Sequence, residues 1–277
     1  MFEDKLKYLT KQEIIEAHKK ILELYPYIPS LSLWRAYEYA VYKNLKINSP
    51  VLDVGCGDGE YFRFVWGENH EVTGIDLDKE RCESAKNSGI YLNVVQINAD
   101  QIQYENQFNT VFANCSLEHM DNIETILKNI FTSLTPGGYF IGSVVTDKYL
   151  DIDVYDKFVE LVAGKQESQN KKQQFLDYHH LRNALPLSDW GQLFQTNGFV
   201  VEMMIPIMSG IVAELFMFID KTWHMVTTEG QEIGEKIFQY LHSANDFSDN
   251  FNKILEAILD LGDNKEQATG LVFVCRK

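Results

Sequence analysis

Between Val51 and Phe62 the chain reads Val-Leu-Asp-Val-Gly-Cys-Gly-Asp-Gly-Glu-Tyr-Phe: an apolar run, glycines at alternate positions, then a helix-compatible segment. Few arrangements accept that order. Glycine has no Cβ, so Gly55, Gly57 and Gly59 can take backbone angles closed to other residues and admit a ligand against the main chain. A strand, a glycine turn and a helix in succession predict a βα unit whose turn binds a nucleotide-like group. The spacing G-x-G-x-G differs from the G-x-G-x-x-G that brings a pyrophosphate to a helix N-terminus, and Asp53 stands two residues ahead of the first glycine. A carboxylate there repels a pyrophosphate and suits a cationic group.

The unit recurs. From Pro50 onward, short apolar runs alternate with helical patterns, which predicts stacked βα units around a parallel sheet. Strands are expected at 51–54, 71–75, 93–97, 110–113 and 139–145, then at 199–205 and 270–275. Asp78 can cap a helix ending near Gly89, Asp121 with Glu124 forms a capping pair for the next, and Ser188 can cap a third. Pro136-Gly137-Gly138 reads as a turn. Ahead of Pro50, a Thr10/Glu13 capping box opens an apolar stripe that Pro26 and Pro29 stop; Leu33, Trp34, Tyr37, Val41 and Leu45 trace a second helix beside Arg35 and Glu38. The tract 165–174 holds no apolar residue and is expected to be the mobile centre of an insertion. Further helical patterns lie near 210–225, 231–243 and 247–261.

Charge and cysteine usage narrow the partners. With 25 basic and 40 acidic residues the net charge is −15, and no Lys/Arg-rich arm interrupts it, so a nucleic-acid partner is not expected. Cys56, Cys82, Cys115 and Cys275 have neither metal-ligand spacing nor disulfide density, which fits a reducing compartment. The segment Met1–Tyr8 has no apolar h-region, and no stretch reaches the roughly 18 apolar residues of a spanning helix. A cytoplasmic protein with no transmembrane segment is expected.

Acids placed after the strands sharpen the ligand. Asp76 closes the second strand, where a carboxylate can accept from both hydroxyls of a ribose. Asp100 follows the third in Asn98-Ala-Asp-Gln101, placed to accept from an exocyclic amine of adenine, with Leu77 and Ile102 as apolar walls. After the fourth comes Asn114-Cys-Ser-Leu-Glu-His-Met120, at the edge where doubly wound sheets bind ligands.

Together these residues resemble the class I S-adenosylmethionine-dependent methyltransferases, in the small-molecule branch called type 11. The family's D-x-G-x-G-x-G is similar to Asp53, Gly55, Gly57 and Gly59; its later acids match Asp76 and Asp100; its "L-E-H" matches Leu117-Glu118-His119. The resemblance implies an α/β, Rossmann-like seven-stranded sheet of order 3-2-1-4-5-7-6 with an antiparallel last strand, and S-adenosyl-L-methionine as cofactor. It places Arg35 at the cofactor's amino-acid end, and Cys56, Leu77, Gln101, Cys115 and Ser116 beside the named acids and glycines as cofactor-facing. A single domain over 1–277 is expected: an N-terminal helical cap at 1–48, a cofactor core at 49–147, a lid insertion at 148–187, a core return at 188–208, a helical insertion at 209–268 and the last strand at 269–277.

Methyl transfer needs a base only when the acceptor is a poor nucleophile, and for a hydroxyl a histidine is suited. His119 beyond the fourth strand, and His179 or His180 in the first insertion, are the candidates. Adjacent histidines point apart, so at most one of that pair is expected to face the pocket; no third and fourth ligand is evident, so no metal is expected. His18 lies on an apolar helical face and reads as core. The expected function is methylation of a small, partly hydrophobic acceptor, at a hydroxyl of a natural-product or lipid-like molecule, by a monomer or homodimer. N- or C-methylation, a non-catalytic cofactor-binding protein and a nicotinamide-dependent oxidoreductase are the alternatives.

Overall fold

The structure is a computed structural model and describes residues 3–227, 230–244, 246–262 and 267–277. Its strands are β1 (Val51–Val54), β2 (Val72–Asp76), β3 (Asn93–Gln96), β4 (Phe108–Asn114), β5 (Leu134–Val145), β6 (Val200–Ile207) and β7 (Gly270–Arg276). They form one sheet in the order β3-β2-β1-β4-β5-β7-β6. The first five run parallel, and β7 inserts antiparallel between β5 and β6, as the family resemblance implies.

Side-chain alternation explains why the sheet carries two cores. Successive residues of a strand point to opposite faces. Val51, Phe112, Ile141 and Val272 join one cluster with Trp34, Tyr37, Val41 and Phe62. Leu52, Val111, Phe140 and Phe273 join the other with Ile126, Leu127, Trp190 and Phe194. Burial on both faces is why most of β7 reads as an unbroken apolar run and why β1 is apolar apart from the buried Asp53.

The helices are α1 (Lys11–Ile21), α2 (Pro29–Tyr42), α3 (Glu60–Trp66), α4 (Lys79–Ser88), α5 (Ile123–Ser133), α6 (Lys148–Asp151), α7 (Val154–Ala163), α8 (Lys165–His179), α9 (Leu187–Thr196), α10 (Gly210–Trp223), α11 (Ile233–Ser243) and α12 (Phe247–Leu259). The Thr10/Glu13 capping box opens α1, and Asp78 caps α4 by accepting from Arg81 N. Helix α10 packs on α2 through Phe216 and Trp34, whose rings lie 5.3 Å apart; α12 packs on α1 through Phe251 and His18, also at 5.3 Å. None of the described helices is long and apolar enough to cross a membrane. Within 209–268, positions 228, 229, 245 and 263–266 lie outside the described residues.

Several local expectations give way to tertiary packing. The polar tract 165–174 belongs to α8: Lys, Gln and Glu are good helix formers, and Ser168 and Phe175 anchor the helix. Ser168 Oγ donates to the Asp156 carbonyl at 2.7 Å, and the buried Lys221 ammonium lies 5.1 Å over the Phe175 ring. Pro29 begins α2 at its first position instead of stopping a helix. Pro136-Gly137-Gly138 lies inside β5, where the register against β4 shifts, and makes an irregularity instead of reversing the chain. Helix α5 starts after Asn122, in a left-handed conformation without a side-chain cap, so Asp121 stands one residue ahead of the cap position, at the surface 3.5 Å from Arg182. Ser188 donates to its neighbour Asp189 and caps nothing.

Candidate active site

The glycine turn leaves β1 with all three glycines at positive φ: +76° at Gly55, +57° at Gly57 and +84° at Gly59. Contact reinforces the need for glycine at two of them. A Cβ on Gly55 would meet Ser116 at 2.6 Å, and one on Gly59 would meet the Tyr91 ring at 2.6 Å; above Gly57 the nearest atom is an Arg81 nitrogen at 3.8 Å. The main chain at Gly57 is therefore the point open to a ligand.

Beneath the turn lies Asp53, 3% exposed, accepting from the Tyr91 hydroxyl at 2.7 Å. Burial pushes its carboxyl up to about 7, the Tyr91 hydrogen bond pulls it down, and the charge of Asp76 adds to the rise. An acid held there near neutrality is stabilised in its charged form by an incoming cation. Tyr91 was not singled out from sequence, since nothing local marks a tyrosine that reaches back 38 positions. Asp76, at the end of β2, accepts from Gly57 N at 3.0 Å through one oxygen and from Asp78 N at 2.9 Å through the other. Those two backbone donors fix the carboxylate while each oxygen keeps a free lone pair.

The turn opens into a cleft of ≈ 770 Å³ and an adjoining recess of ≈ 540 Å³, which share Leu31, Arg35, Gly55, Arg81 and Cys115. Asp53 and the glycines line the recess; Asp76, Leu77, Asn98 and Ser116 line the cleft. Leu77 is 66% exposed and available as a wall, whereas Ile102 packs in the core beneath the sheet. Asp100 and Gln101 lie just outside the lining, and Gln101 turns to solvent. One Asp100 oxygen accepts from Asn122 Nδ2 at 3.0 Å; the other is buried and has no hydrogen-bond partner. Cys56 lines the recess but packs with Cys82, Ala85 and Val94. The backbone N–H of Cys115 is taken by Ser143, and Ser116 Oγ donates to the Val54 carbonyl at 2.8 Å.

At the junction stands a network that the sequence did not announce. The Glu38 side chain is 0% exposed. Its Oε1 accepts from Trp34 Nε1 at 3.0 Å, Cys115 Sγ at 3.0 Å and Ser143 Oγ at 2.6 Å; its Oε2 accepts from Arg35 Nη1 at 2.7 Å and Asn114 Nδ2 at 3.3 Å. Those donors come from α2, the end of β4, the loop after it, and β5, so Glu38 ties the helix to the sheet edge. Arg35 also lies 4.5 Å over the Tyr61 ring, and its Nε is buried without a partner. Glu118 is a second such acid, 1% exposed, with one oxygen unpartnered; burial pushes it up to about 8. Sequence offered it only as part of the Leu117-Glu118-His119 pattern.

The three candidate histidines separate. His119 lines the cleft and is exposed to it, and partial desolvation lowers its imidazole from the ordinary value against the pull of the His179 carbonyl. His180 ends α8 in a left-handed conformation and is exposed. His179 faces the cleft beside Asp220 and His224, a grouping invisible in the local spacing. Trp34, Tyr149, Phe216 and Trp223 complete that wall. His18 is fully buried against Asn252, and burial lowers it to about 4, as a core histidine requires.

The family model described as "Methyltransferase domain" matches residues 19–203, which include β1 to β5 and the first half of β6. Among curated proteins, the ubiquinone biosynthesis O-methyltransferase of Rickettsia felis is 27% identical over 99 residues, 34% of this chain and 41% of that protein. The malonyl-[acyl-carrier protein] O-methyltransferase of Enterobacter lignolyticus is 31% identical over 90 residues, 32% of this chain and 36% of that protein. The chain therefore spans about two fifths of the length of these relatives. Among solved structures, one from Thermotoga maritima described as a possible histamine N-methyltransferase superposes with a TM-score of 0.53 at 15% identity, covering 95% of this chain and 99% of that one. The glycine turn, the acids after the strands, the strand order and the family match agree: the chain belongs to the methyltransferase-domain family, among the class I methyltransferases whose cofactor is S-adenosylmethionine.

Proposed function

We propose that the protein transfers a methyl group from S-adenosylmethionine to a small, partly apolar acceptor, at an oxygen. The observation that carries this reading is the shared cleft: Gly55, at the start of the glycine turn, and Asp76 line the same space as an aromatic wall of Trp34, Tyr149, Phe216 and Trp223, and the rest of the turn lines the recess that adjoins it. The residues fit the cofactor. Asp76 has lone pairs for the ribose hydroxyls, Asp100 has a buried acceptor without a partner on the adenine side, and Arg35 has an unpartnered donor for a carboxylate. Asp53 stabilises positive charge from below the turn, Gly57 admits the ligand's backbone, and Leu77 forms a side wall. When bound, the cofactor supplies an electrophilic methyl group on a sulfonium.

The chain's own contribution to the chemistry is placement and proton removal. An in-line displacement gains most from holding the nucleophile near the methyl carbon, and the aromatic wall does that for a planar or partly apolar acceptor. His119, lowered by burial, is neutral at ordinary pH and takes the acceptor's proton at an imidazole nitrogen. Glu118, protonated up to about pH 8, faces the same space as a hydrogen-bond donor. The O-methyltransferase relatives support oxygen over nitrogen as the accepting atom. The helices before β1 and those in 148–187 and 209–268 form the cap over this cleft, and 49–147 holds the cofactor.

Incubation with S-adenosylmethionine labelled in its methyl group and a panel of phenols, hydroxy acids, amines and enolisable ketones tests the reading. Label on a hydroxyl oxygen is expected. Transfer to amines alone reassigns the accepting atom, and cofactor binding without transfer to any acceptor points to a non-catalytic binder.

A further inference from the structure

We propose that His179, Asp220 and His224 form a binding site for a borderline divalent transition-metal ion, such as zinc, cobalt or ferrous iron, at the acceptor end of the cleft. The three come from the last residue of α8, the face of α10 and the residue that caps α10. Their ligand atoms all lie within 4.8 Å of one another. His179 Nε2 stands 3.5 Å from Asp220 Oδ2, and His224 Nε2 stands 3.8 Å from Asp220 Oδ1. Two ligands about 2.1 Å from a shared tetrahedral ion are about 3.4 Å apart, so modest side-chain rotation completes the set.

Unsatisfied atoms point the same way. Asp220 is 8% exposed, yet its Oδ2 has no hydrogen-bond partner, and neither has His179 Nε2. Facing each other at 3.5 Å without bonding, the two converge on a common point. A buried carboxylate without a partner is costly, and a cation between the groups removes that cost. The neighbouring ammonium does not supply it, because Lys221 donates to Asp156 at 2.7 Å. The support around the ligands is already built: His224 Nδ1 is held by Glu232 at 2.9 Å, which directs Nε2 toward Asp220, as a carboxylate does for a metal-ligating histidine. The Tyr178 ring lies 4.4 Å from the His224 ring, and Phe175 lies 4.2 Å from His179.

Two imidazoles and one carboxylate suit zinc, iron, cobalt or nickel, and disfavour magnesium and calcium, which take all-oxygen sets. Three protein ligands leave coordination open, and the site faces the cleft, so an acceptor oxygen is the group that fills it. That acceptor role rests on the methyltransferase reading above; the metal site itself does not.

Metal-stripped full-length protein is titrated with zinc by calorimetry and with cobalt by visible absorption, alongside the variants Asp220→Ala, His224→Ala and Glu232→Gln. The wild type is expected to bind one ion and give cobalt ligand-field bands. Ligand variants should weaken binding by more than about 100-fold and Glu232→Gln by about tenfold. S-adenosylmethionine affinity of the same variants, expected unchanged, shows that they fold. Absence of one-to-one binding by the wild type, or equal binding by Asp220→Ala and His224→Ala, overturns the proposal. Metal binding without methyl transfer to any acceptor leaves the site standing and overturns the reading of function instead.

Discussion

Replacing Asp53 by Asn tests the electrostatics under the glycine turn. Burial raises the Asp53 carboxyl from 3.8 to about 7. For an acid whose pKa rises on folding, the native state holds its proton longer, so its contribution to stability is full below about pH 4 and is lost as pH climbs through 7. Between pH 5 and pH 8 that loss is roughly 2 to 3 kcal/mol, from 1.36 kcal/mol per pKa unit. Asparagine keeps an oxygen to accept from the Tyr91 hydroxyl and carries no charge, so it escapes the loss. Urea unfolding of both proteins, followed through the fluorescence of the four tryptophans, should show Asp53→Asn gaining on the wild type by that amount at pH 8 relative to pH 5. If the ionised form binds the cation-bearing cofactor, wild-type affinity for S-adenosylmethionine should also be about tenfold weaker at pH 6 than at pH 8, and flat with pH in the variant. Unfolding curves that keep a constant separation from pH 5 to pH 8 would refute the assignment of a near-neutral buried acid.

Other perturbations read neighbouring parts of the site. Gly59→Ala, at φ +84° and 2.6 Å from the Tyr91 ring, should cost about 1–3 kcal/mol in urea unfolding and weaken cofactor binding; a neutral outcome would mean the turn is more open than described. Glu38→Ala leaves Arg35 buried without its partner and should destabilise by about 3–5 kcal/mol, with a matching loss of cofactor affinity in calorimetry. His119→Ala should lower kcat by about 10²–10⁴ while the cofactor Kd stays the same, and an unchanged kcat would remove His119 as the base.

What was legible in the sequence is what short spacing dictates. Asp53, the glycines and Asp76 sit where a βα turn and the next strand end must put them, so register alone brings them together. Alternation along each strand gave the two-faced core for the same reason. Contacts across long separations left no local trace: Glu38 meets Ser143 over 105 positions, Tyr91 meets Asp53 over 38, and Asp220 joins His179 only because α10 crosses the end of α8. The tract 165–174 misled because polarity excludes a core but not a helix, and the buried Ser168 and Phe175 dock it. Asp121 misled in the opposite sense, since the helix begins one residue later, after Asn122 in a left-handed conformation.

The central claim is that the glycine turn and Asp76 bind S-adenosylmethionine. Calorimetric titration of the wild type and Asp76→Ala with S-adenosylmethionine, with NAD as a control, tests it most directly. One-to-one binding by the wild type, its loss in Asp76→Ala and no heat from NAD are the predicted results. Equal affinity in the two proteins, or binding of NAD and not of S-adenosylmethionine, would contradict it.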